Sequence, residues 1–106
     1  MISMEEFKKI EFRIAEIESV SPHPNADRLY VLNIKVGETR KTIVAGIRKA
    51  YGEEELRGKK VVVVDNLEPA MIRGVESHGM LLAASEGELL TLIVPERPIS
   101  DGASVR

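Results

Sequence analysis

At 106 residues, 43% hydrophobic and 30% charged, this chain is the size of one globular domain with its own core and room for little more than one task. The absence of cysteine excludes disulfides, thiol nucleophiles and cysteine–zinc sites and fits a reducing cytoplasm. No apolar run approaches the roughly 18–20 residues of a membrane span, and Glu5, Glu6, Lys8 and Lys9 leave no signal-peptide apolar segment at the N-terminus.

The formal net charge of −2 hides an uneven distribution. Residues 1–27 carry three Lys/Arg against six Asp/Glu, residues 28–73 ten against six, and residues 74–106 two against five. Such a basic middle can present a local cationic face, because charges more than roughly 8–10 Å apart are largely screened at physiological salt.

In chain order, Ser3-Met4-Glu5-Glu6 has the capping-box pattern, with Ile2 and Phe7 at the staple positions. It predicts a short helix from about Met4 to Lys9. Phe12–Val20 reads as a strand whose apolar phase slips after Ile14, which places a bulge near Ala15–Glu16. Two prolines within Pro22-His23-Pro24 make residues 21–27 a loop, with His23 one of its members. Leu29–Val36 alternates as a half-buried strand, Gly37-Glu38 turns, and Thr42–Ile47 returns. Lys49–Gly58 is a short helical turn. Lys59–Leu67, with four consecutive valines, is a strand buried on both sides. Residues 68–78 read as a loop, Gly79–Ser85 and Leu89–Val94 as further strands, and the tail to Arg106 as extended. Three strands, a short helix and two strands is the order of an OB-fold, a five-stranded barrel. The short N-terminal helix (residues 1–10) and the extra strand and tail (residues 89–106) lie outside that barrel.

Two stretches are more specific. Pro22-His23-Pro24-Asn25-Ala26-Asp27-Arg28-Leu29-Tyr30, and Asn66-Leu67-Glu68-Pro69 through Arg73-Gly74-Val75-Glu76-Ser77-His78-Gly79-Met80, resemble the free-standing tRNA-binding protein family. The same module is appended to methionyl-tRNA synthetases and occurs in cytokine-like synthetase auxiliary proteins. The resemblance covers essentially the whole chain. It implies a single non-catalytic OB-fold domain over residues 1–106, homodimerisation through the elements outside the barrel, and tRNA bound by structure more than by sequence. Ser77 and Met80 match the family's Ser-x-Gly-Met motif, whose members are implicated in tRNA binding. Glu68, Met71 and Asn33 stand where many relatives carry lysine, which predicts weaker phosphate contacts.

On an OB surface, basic side chains hold the backbone while apolar ones meet bases. Arg73 is the foremost candidate, followed by Arg28, Lys35, Arg40 and Lys41, each of which can also be read as a solvated cation. Ser77 can donate to a phosphate, Met80 can face a base or open a strand as core, and Asn66 can contact ribose or fix its loop. Asn25 can rim the same face or cap its own turn. Tyr30 and Tyr51 offer little stacking surface, which favours reading of shape and phosphate. No catalytic constellation, cofactor motif or metal set is evident, and two widely separated histidines argue against a dedicated metal site. The functional expectation is a cytoplasmic, non-catalytic tRNA-binding module acting as a homodimer; service as an accessory or beta subunit of methionyl-tRNA synthetase is a further reading. The rival is a chaperone-like export factor of the same dimeric fold, binding peptide through Met71, Ile72 and Val75.

Overall fold

The computed structural model describes all 106 residues. It opens with α1 (Met4–Phe7), capped as the sequence predicts: Glu6 N–H donates to Ser3 Oγ, and Ser3 N–H to the Glu6 carboxylate. The helix is shorter than expected, its last turn tightening through Lys9 N–H to Glu6 O and Ile10 N–H to Phe7 O. None of its residues is buried.

The barrel is built on β1 (Phe12–Pro22), β2 (Tyr30–Val36), β3 (Thr39–Ala45), β4 (Lys60–Val64) and β7 (Met80–Leu81), hydrogen-bonded in the order β3-β2-β1-β4-β7. All pairs are antiparallel. The first half of β1 pairs with β4 and the second half with β2, and the register shifts between Ile17 and Ser19. The bulge therefore lies slightly beyond the predicted Ala15–Glu16, where β1 changes partners and must bend. The sheet curls until β3 meets the segment leading into β7. There His78 N–H donates to Thr42 O at 2.9 Å and Val44 N–H to Ser77 Oγ at 3.0 Å. α2 (Glu53–Leu56), between β3 and β4, buries Leu56 completely. This is the OB-fold.

The core runs through Ile17, Leu32, Ile34, Ile43, Val61 and Val63. Val62 and Val64 are also buried but lie outside that cluster, so β4 is covered on both faces as its four valines predicted. Both tyrosines serve the interior. Buried Tyr30 donates to Tyr51 O at 2.7 Å, and the Tyr51 hydroxyl accepts the Leu92 N–H at 3.1 Å. That bond and one with Thr91 lower the Tyr51 pKa below its ordinary value.

Three segments differ from the expectations. Residues 68–78 are not a plain loop but carry a hairpin, β5 (Ala70–Ile72) and β6 (Val75–Ser77), joined by Arg73-Gly74. The predicted strand Gly79–Ser85 is divided: β7 pairs with β4, whereas β8 (Ala83–Glu86) turns outward to pair with β9 (Leu89–Leu92). The tail folds back, and β10 (Ser104–Val105) pairs with β1. Lys35 and Gly37 N–H fasten that tail by bonding Asp101.

Candidate nucleic-acid interface

Tyr30 pairs with Ala45 across β2 and β3, so the loop before β2 (residues 23–29) and the segment after β3 (residues 46–51) emerge at one end of the sheet. The β5–β6 hairpin is brought to the same end by direct bonds from the first loop. His23 is 4% exposed. Its Nδ1 accepts the Asn25 N–H at 2.9 Å, so the ring proton sits on Nε2, which donates to Ile72 O at 2.9 Å. Asn25 Nδ2 donates to Arg73 O at 3.1 Å. At the tip, Arg73 has φ 52° and Gly74 φ 90°, the left-handed pair that a two-residue hairpin turn requires.

This stitching brings Arg28 and Arg73 together, although they are 45 positions apart in the sequence. Both are exposed, neither has a carboxylate partner, and they line one depression with Ala26, Asp27 and Leu29. Arg48 adds a third guanidinium at this end, 6.0 Å from the centre of the Tyr30 ring.

Beside the hairpin runs an apolar groove of about 330 Å³ between β3, β6 and β7. Leu67, Ala70, Ile72 and Met80 line it, and Glu68 is its one charged wall. Met80 is 49% exposed, so it opens β7 facing the groove and is not core. Gly79 keeps the floor thin: at φ 153° a Cβ there would come within 3.0 Å of Val64 O.

Other candidates are placed differently. The Ser77 hydroxyl is 2% exposed, accepting from Val44 N–H and donating to Gly79 O at 3.0 Å. Its hydrogen-bonding capacity is thus engaged in closing the barrel, which departs from the expected donation to a phosphate. Asn66 is exposed, but its side chain accepts from Glu11 N–H at 2.9 Å and donates to Lys9 O at 2.7 Å, tying the end of β4 to the N-terminal segment. Lys35 contacts Asp101 at 3.1 Å, Arg40 contacts Glu18 at 2.9 Å, and Lys41 contacts Asp65 at 2.6 Å. The bond and charge of Glu18 raise the Arg40 pKa further. Partial burial pushes the Asp101 pKa upward as its largest single influence. The bonds from Lys35 and Gly37 N–H, with the charges of Lys35 and Lys60, together outweigh it and leave the pKa lowered. The cations of β2 and β3 are therefore largely paired, whereas Arg28 and Arg73 at the loop end, like Lys59 and Lys60 at the start of β4, have no carboxylate partner. Asn33 bridges Ser19 and Thr42 across three strands.

The fold is a barrel of the OB type. Residues 12–104 match the family model described as "Putative tRNA binding domain", and the chain belongs to that family. A methionine–tRNA ligase of Pyrococcus furiosus is 51% identical over 105 residues, which make up 99% of this chain and 14% of that protein. One from Thermotoga maritima is 44% identical over 98% of this chain and 16% of its own length. The chain thus spans only about one-seventh of the length of the curated relatives it matches. Among solved structures, a MetRS related protein from Pyrococcus horikoshii superposes with a TM-score of 0.93 at 33% identity, covering 100% of this chain and 98% of the other. The CsaA chaperone protein from Picrophilus torridus gives 0.92 at 30% identity, each chain fully covered.

Two residues of this end escaped the sequence reading. His23 looked like an ordinary loop member, and no local signal points to a carbonyl 49 residues away. Arg48 followed a strand without any pattern of its own.

Proposed function

We propose that this domain binds tRNA by shape and phosphate, without catalysis, as an accessory domain or beta subunit serving a methionine–tRNA ligase in the cytoplasm. The observation that carries the proposal is the pair of unpaired arginines, Arg28 and Arg73, delivered by two loops to one end of an OB barrel. Neither is bonded to a carboxylate, although Asp27 lines the same depression, whereas Lys35, Arg40 and Lys41 must first give up Asp101, Glu18 and Asp65. The groove beside Met80 is apolar and open enough to take an unstacked base. The match to methionine–tRNA ligases supports the synthetase link.

A fluorescence titration with bulk tRNA between 50 and 200 mM salt tests the reading. Affinity is expected to fall with salt, and Arg28→Ala and Arg73→Ala are each expected to reduce the logarithmic slope by about 1. A folded protein that binds no tRNA at 50 mM salt would sink it.

A peptide-binding role is the second reading. The apolar groove and the likeness to the CsaA chaperone favour it. Under that role Ile72→Ala and Met80→Ala, at the groove wall, weaken peptide binding, whereas Met71, expected from the sequence to share it, lies outside the groove; Arg28→Ala and Arg73→Ala leave peptide binding unchanged.

We further propose that two copies associate through the elements outside the barrel, α1 and the β8–β9 hairpin. All four residues of β8 are exposed, as are Ile2, Met4, Leu89 and Val94, and such apolar surface is what a partner copy buries.

A further inference from the structure

His23 is a buried, titratable side chain for which tRNA contact has no use, and its two ring nitrogens both hold backbone. One fixes its own loop through Asn25 N–H, and the other fixes the base of the β5–β6 turn through Ile72 O. Asn25 then holds the next carbonyl, that of Arg73. A Cβ built on Gly74 would lie 3.5 Å from Asn25 Nδ2, so the turn and the loop are in direct apposition. Arg73 meanwhile sits at φ 52°, a conformation the two-residue turn imposes and that side-chain-bearing residues seldom adopt.

We infer that His23, assisted by Asn25, is a positioning residue that holds the Arg73 backbone across from Arg28, so that two separate loops form one phosphodiester-binding depression. The inference rests on the tRNA-binding reading and adds to it how the site is built. Two guanidinium groups and Asp27 line the depression. Their net single positive charge matches a phosphodiester, which carries one negative charge, better than a terminal phosphate monoester carrying nearly two. If the clamp is released, the hairpin tip is free to swing away from the first loop, and Arg73 leaves its partner.

The test is a double-mutant cycle on the full chain, read by fluorescence anisotropy with bulk tRNA at 0.1 M salt. Loss of one phosphate contact corresponds to roughly an eight-fold loss of affinity at that salt, with the salt slope reduced by about 1. Arg73→Ala and His23→Ala are each expected to show both changes, and the double variant is expected to bind within about two-fold of Arg73→Ala. His23→Ala binding like wild type, or a double variant weakened by roughly the product of the two losses, overturns the inference while leaving tRNA binding standing. A wild-type protein that binds no tRNA overturns both. Should His23→Ala fail to fold, Asn25→Ala removes only an exposed bond. It is expected to speed amide exchange at Ile72 and Val75, the strand pair that closes the turn, in the RNA-free protein and to weaken binding, and unchanged exchange there overturns the clamp.

Discussion

Arg73 is the residue at which stability and proposed function pull apart. A two-residue turn with both members at positive φ favours Asn-Gly, since asparagine tolerates the left-handed region and arginine gains nothing there. Here the second position is Gly74 as expected, but the first is an arginine at φ 52°. Arg73→Asn is therefore predicted to stabilise the protein by about 0.5–1 kcal/mol, a rise of roughly 4 °C in melting temperature, while weakening tRNA binding. Calorimetry and titration on the same preparation check it, and an unchanged or lower melting temperature would contradict the strain argument. The same arginine explains why residues 68–78 read as a loop. Without the Asn-Gly signature, and with Pro69 nearby, three-residue strands carry too little pattern to register. Arg28 and Arg73 were legible as candidates from their residue type, but their proximity was not, because His23 and Asn25 create it by bonds that span the sequence.

Among the elements, the junction of β3 with β6 and β7 carries the barrel's closure, and Ser77 is its centre. Its hydroxyl serves one donor and one acceptor in a site with almost no access to water. Ser77→Ala would leave the Val44 N–H unpaired, a cost of about 1–3 kcal/mol. The expected outcome is a melting temperature lower by several degrees, with tRNA affinity changed less than about three-fold when measured well below the transition. A large loss of affinity without loss of stability would return Ser77 to direct contact with RNA. Its position in a recognisable motif was visible in the sequence, but its role was not, since a serine beside a glycine looks the same whether its hydroxyl faces ligand or backbone. Met80 was open in the same way. Strand β7 exposes Met80 and buries Leu81 by simple alternation once its pairing with β4 fixes the register.

The molecule as a whole has one well-filled barrel and two appendages that the barrel leaves uncovered. The tail is not one of these over its full length, because β10 returns to β1 and Asp101 is bonded at the β2–β3 turn. What the barrel leaves uncovered is α1 and the β8–β9 hairpin, the surface proposed for a partner copy, with Leu89 71% exposed near the hairpin tip. Light scattering at micromolar concentration is predicted to give twice the chain mass of 11.7 kDa. Leu89→Glu, which places a charge in that apolar patch, is predicted to yield a folded monomer. A monomeric wild type would refute the dimer. No helix of the structure is long and apolar enough to cross a membrane. The sequence by itself determined the barrel. The alternation in β2, the four valines of β4 and the order of strands and helix are local signals, and a curled sheet with one strand covered on both faces is the arrangement that buries those apolar residues together. Only the tertiary structure decided which cations are unpaired and where they gather. Pairing of Lys35, Arg40 and Lys41 with acids from other strands and from the tail, and the clamping of one loop onto another by His23, depend on contacts between residues remote in sequence, which no local pattern encodes.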